Sequence, residues 1–148
     1  VEVRWRPFFL DAEAPVKGVN KVDTYVKKFG SERVAQMGPM LTKAFAAEGL
    51  PYSFGGLTGS TMDSHRLIAM AEVDFDLSVQ DKLVEELFLN YFGEEKFIND
   101  RSVLLAAAVK AGMPESAAAK CLDDPTMHRT QVLEQVKTFA RGVRGVPH

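Results

Sequence analysis

The side chains able to do chemistry are few and scattered. Cys121 is the only cysteine among 148 residues, so the chain can form neither an intrachain disulfide nor a cysteine-only metal site. A thiol attacks as its thiolate, which needs a helix N-terminus or a cationic neighbour to lower its pKa. Cys121 follows Ala117-Ala118-Ala119-Lys120 in a helical stretch, with Lys120 as its only adjacent cation. It therefore reads as a buried structural thiol rather than a redox centre. His65 and Arg66 stand side by side. An imidazole near a carboxylate can act as acid or base, but local spacing fixes only Asp63 close to it, and the residues that follow are apolar. Two readings stay open for the pair: hydrogen-bonded packing inside a domain, or a contribution to a cleft. His128 has no companion ligand, so no metal site is expected.

Two other motifs give bland readings. Gly55-Gly56-Leu57-Thr58-Gly59-Ser60-Thr61 lacks the Gly-Lys-Ser/Thr ending of a phosphate-binding loop and reads as a tight turn needing positive φ. Phe88, Tyr91, Phe92 and Phe97 have no interleaved basic residues, so they belong to a core rather than a stacking platform.

The elements that must position these residues are mostly helical. Val1, Val3 and Trp5 alternate with Glu2, Arg4 and Arg6, the period-two pattern of a half-buried strand, here continuing to Leu10. A loop through Gly18 leads to a helix over Val19–Phe29, closed by Gly30. Ser31 caps a helix to about Glu48, with Gly38-Pro39 as a point of division. Ser60 with Asp63, and Ser78 with Asp81, resemble capping boxes for the next two helices. Asp100 caps the Val103–Val109 helix and Gly112 ends it. Pro114 opens another helix, and Asp124-Pro125 opens the last, whose face is Val132, Val136, Phe139, Ala140 and Val143. That makes six or seven helices with two or three short strands.

The composition fits a globular protein, with 46% hydrophobic and 26% charged residues. A net charge of -2 argues against nucleic acid as a partner. The longest apolar run, Val103–Val109, is too short to cross a bilayer. With one cysteine and no charged-then-apolar leader, a cytoplasmic location is expected.

Val3-Arg4-Trp5-Arg6-Pro7-Phe8-Phe9-Leu10-Asp11 resembles the strand and loop after the first helix in the FrnE-like branch of the DsbA family. Tyr25, Phe29-Gly30, Phe54-Gly55-Gly56 and Gly59 continue the match. Its most specific part is Thr61-Met62-Asp63-Ser64-His65-Arg66-Leu67, where Ser60 replaces the usual Asn. Leu87-Phe88, Tyr91-Phe92, Ile98-Asn99-Asp100 and Gly142-Val143-Arg144-Gly145-Val146-Pro147 keep the family order, so the resemblance covers essentially the whole chain.

The resemblance implies an α/β thioredoxin-like fold with a helical insertion. Residues 1–18 would be a strand and loop of the thioredoxin half, 19–141 the helical insertion domain, and 142–148 a cis-proline loop stub. It also implies thiol–disulfide oxidoreductase or isomerase chemistry on protein or peptide thiols and disulfides, without a cofactor. In the family the reactive Cys-x-x-Cys lies ahead of the matched segment, and no residue here matches it. No catalytic residue is thus expected in this chain, which is read as a fragment of a longer parent. Val146 would pair through its backbone with an extended substrate, with Pro147 setting the geometry. The alternatives are a glutathione-dependent kappa-like transferase or isomerase, in which a serine replaces the cysteine pair, and a non-catalytic interaction module. An unpaired first strand would favour self-association.

Overall fold

A computed structural model describes residues 1–146. The elements run β1 (Val19–Asn20), α1 (Lys21–Phe29), α2 (Ser31–Ala47), β2 (Leu57–Thr58), α3 (Met62–Asp74), α4 (Leu77–Phe88), a π-helical turn (Leu89–Gly93), α5 (Arg101–Ala111), α6 (Glu115–Asp123) and α7 (Arg129–Phe139). Among the described residues the only ladder is antiparallel, with Val19 opposite Thr58 and Asn20 opposite Leu57.

The core is built where α3, α4, α5 and α6 meet. Leu67, Met70, Ala71, Leu83, Leu87, Leu104, Ala107, Ala108 and Cys121 form one buried cluster. Their removal from water is the main source of stability, at about 25 cal/mol per Å² of apolar surface. The helix ends follow local chemistry. Asn20 accepts from the Asp23 N–H, Asp76 from Val79, and Asp100 from Ser102 and Val103. Gly112, at φ 106°, closes α5 in the left-handed conformation that favours glycine.

Several expectations need correction. Helix α1 begins at Lys21, because Val19 and Asn20 are drawn into the ladder. Ser31 lies inside α2, Gly30 occupies the cap without a side-chain bond, and α2 runs through Pro39 undivided. Neither capping box forms. Thr61 is the α3 cap, while Ser60 Oγ accepts from the Met62 N–H. Asp76 caps α4 in place of Ser78. Asp124 does not start α7; its carboxylate accepts from the Thr126 N–H and hydroxyl, shaping a turn before Arg129.

The largest correction concerns Val1–Leu10, which forms no strand. Its backbone finds a side chain instead of a sheet partner. The Trp5 N–H donates to Gln80 Oε1 at 3.1 Å, and Gln80 Nε2 donates to the Trp5 carbonyl at 3.3 Å. One buried amide thus supplies the donor and acceptor that a neighbouring strand would have offered. The period-two pattern is real but straddles two helices. Arg4 and Arg6 reach Glu72 of α3, while the Trp5 indole donates to Asp81 of α4 at 2.8 Å and meets Phe88 edge-on. The open strand edge invoked for self-association is therefore absent here.

Candidate functional site

Helix α3 carries the two residues singled out by their chemistry, and they face different environments. His65 lies in the first turn of α3, half-buried, with its ring edge-on to Phe9 at a centroid distance of 5.0 Å. Its Nδ1 sits 2.6 Å from the Thr61 carbonyl. A carbonyl only accepts, so Nδ1 carries the proton and Nε2 holds the free lone pair of a neutral ring. Among the described residues Nε2 has no hydrogen-bond partner. Burial pushes the His65 pKa below the ordinary imidazole value, and the Thr61 carbonyl opposes this only in part. The result is an oriented, neutral imidazole at the seam between the N-terminal segment and α3, with one nitrogen unpartnered among the described residues.

Arg66, the next residue, points inward and is 0% exposed. Its Nη1 donates to the carbonyls of Cys121 at 2.6 Å, Asp124 at 2.9 Å and Met127 at 3.0 Å. Its Nε donates to Asp63 at 3.1 Å. The guanidinium collects carbonyls from the end of α6 and the turn before α7, where helix termination leaves acceptors without intrahelical partners. Cys121 is fully buried, 3.7 Å from Arg66 Nη1. Burial raises its pKa, and the guanidinium opposes this less strongly. The thiol is thus held protonated and out of reach, as an inert core thiol would be.

Val146 is exposed and is the last described residue; Pro147, its partner in the expected loop, lies outside the described residues. Helix α7, which leads toward it, is tied to α3 by His128–Asp74 at 3.1 Å and Gln135–Glu72 at 3.2 Å. Arg6 stacks over Phe139 at 4.6 Å. The N-terminal segment, α3 and the end of α7 therefore form one connected surface, with Phe9 and His65 on it. No hydrogen bond joins His65 to Val146 among the described residues.

A further polar cluster was not anticipated. Lys21 is buried, with Nζ 3.8 Å from the centroid of the Tyr91 ring and 3.4 Å from the Tyr91 carbonyl. Burial lowers the Lys21 pKa, with Glu95 opposing. Tyr91, in the π-helical turn, donates to Thr58 Oγ1 at 2.9 Å, and burial pushes its pKa up to about 12. Ser53 donates to Glu95, itself at φ 56°. Together these groups pin the β1–β2 ribbon to the π-helical turn. Their spacing from 21 to 95 carries no local signal.

Comparison with known proteins matches the DSBA-like thioredoxin domain family over residues 1–148. The fold is similar to the crystal structure of a probable DsbA oxidoreductase from Streptomyces coelicolor, with a TM-score of 0.86 and 28% identity. That match covers 96% of this chain but 62% of the Streptomyces chain. No curated protein matches the sequence.

Proposed function

We propose, from the premise that this chain belongs to the DSBA-like thioredoxin domain family, that it serves a thiol–disulfide oxidoreductase as the frame on which an extended protein or peptide substrate is held. The observation that carries this reading is the family match along all of residues 1–148, in a chain whose only cysteine is buried. In such exchange a thiolate attacks one sulfur of a disulfide. One S–S bond breaks as another forms, and the second sulfur leaves as thiolate. The fully buried, protonated Cys121 is unsuited to either role. The attacking thiol then comes from outside these residues, consistent with the match covering 62% of the Streptomyces chain. Isomerase activity, the FrnE-like branch and a cytoplasmic setting are finer parts of the same proposal.

Within it, the chain's own residues bind and orient. Val146 offers its backbone to an extended substrate, with Pro147 fixing the turn. His65 lies at the Phe9 seam, where a neutral imidazole with its proton on Nδ1 can accept a proton on Nε2 from a thiol or hydroxyl. The test is an NMR titration of the chain with an extended cysteine-containing peptide, following Phe9, His65 and Val146. Saturable shifts at all three are expected, and their absence at millimolar peptide would overturn the reading. Glutathione shifting His65 where the peptide does not would favour the transferase alternative. The same spectra give the His65 titration, with its midpoint expected below about 6.5. The stability tied to the neutral ring is present above that ordinary value and is lost as pH falls through the lower folded value.

A further inference from the structure

Helix α5 buries one apolar face and presents outward a second face that is apolar only in its middle. Leu104, Ala107, Ala108 and Ala111 face the core, while Arg101, Ser102, Ala106, Val109 and Lys110 are exposed and Leu105 is half-buried. At helical spacing the outward residues make a stripe with an apolar middle, Leu105, Ala106 and Val109, and a charge at each end. Two open grooves lie along the stripe, one beside it and one over it. One, of about 320 Å³, lies on the side of Glu86, Leu89 and Asn90; the other, of about 460 Å³, lies on the side of Glu115.

We propose that this outward face of α5 is a self-complementary docking surface on which a second copy of the chain packs antiparallel. The charges specify the partner. Arg101 stands at the N-terminal end of the stripe and Glu115 beside its C-terminal end. Glu115 has no ion-pair partner among the described residues. A two-fold axis across the middle of α5 sets each Arg101 at the end that carries the other copy's Glu115. It also aligns the helix dipoles in opposition. Lys110 shares that end but is held by Glu86 at 2.8 Å, while Arg101 arrives with Asp123, its partner at 2.7 Å. Each junction thus pairs cations with at least as many carboxylates. A parallel arrangement would instead bring Arg101 to Arg101. The small side chain of Ala106 at the centre lets the axes approach, so that a ridge of one copy enters a groove of the other.

The area sets the strength. The 11 residues of α5 span roughly 16 Å, which offers well under the roughly 800 Å² per partner of a standard stable interface. The expected dissociation constant is on the order of 100 µM.

Sedimentation equilibrium of the 148-residue chain between about 20 µM and about 1 mM brackets that value. A monomer–dimer equilibrium is expected. Ala106→Arg, at an exposed position, should weaken it at least about tenfold by placing a long cation in the apolar middle. Glu115→Arg should weaken it about fivefold, and Arg101→Glu in the same chain should restore it. The exposed Arg101–Asp123 pair lost in that double variant contributes little to folding, and thermal melting of each variant verifies that the fold is kept. A monomer throughout, a dimer indifferent to Ala106→Arg, or a double variant that melts normally without regaining the dimer would each overturn the proposal.

Discussion

Replacing Arg66 by methionine tests whether α6 and α7 are held by one buried cation. Methionine keeps much of the volume of the arginine stem, so the change removes mainly the charge and its hydrogen bonds. Three carbonyls, those of Cys121, Asp124 and Met127, lose their Nη1 donor, and Asp63 loses its Nε partner. The Asp124 carbonyl keeps the Met127 N–H at 3.1 Å, so the cost of about 1–3 kcal/mol per unsatisfied buried acceptor falls first on the Cys121 carbonyl. Methionine also relieves the desolvation of a buried cation whose Nη2 has no protein partner, which offsets part of that loss. The Asp63 side chain is 36% exposed and leaves no buried charge behind, so the net destabilisation is expected at about 2–3 kcal/mol. In a chain of this size that lowers Tm by about 4–12 °C. Arg66→Lys should recover part of the loss, because an ammonium reaches fewer of the converging carbonyls than a planar fork. Urea unfolding gives the free energy, and hydrogen exchange locates it, with protection lost first between Asp124 and Arg129. An Arg66→Met protein within about 1 kcal/mol of the parent, with that turn still protected, would refute the reasoning.

Gln80→Leu should free the N-terminal segment, since one amide satisfies both backbone groups of Trp5. A loss of about 2 kcal/mol is expected, with a red shift in the emission of Trp5, the only tryptophan; unchanged emission would contradict it. Cys121 should resist a thiol reagent at pH 8 in the folded chain and react fully once the chain is unfolded, and rapid native labelling would refute its burial. Its raised pKa means that the folded state holds the proton more tightly. The linked stability is present below about pH 8.5, the unfolded value, and is lost as pH rises through the folded one. Urea midpoints measured across that range check the sign, and Cys121→Ser should flatten the slope.

The local half of this structure was legible because its causes are local. Asp100 two and three residues ahead of backbone donors, and Gly112 where α5 must stop, act within a single turn, so residue type at a fixed spacing suffices. Pro39 shows the limit of such reasoning, since α2 continues through it. The alternation of Val1 to Arg6 reads as a half-buried strand, but no strand forms there; periodicity says nothing of what accepts the hydrogen bonds. Here the acceptor is Gln80, 75 residues away, so a pattern that predicts a sheet edge instead marks a segment clamped to helices. The same holds for Arg66. Next to His65 it resembles a catalytic neighbour, yet successive residues on a helix point about 100° apart. That offset sends one ring to the Phe9 seam and the other side chain to the carbonyls beyond Cys121. Sequence adjacency on α3 thus separates two roles, a structural clamp facing inward and a half-buried imidazole facing the seam.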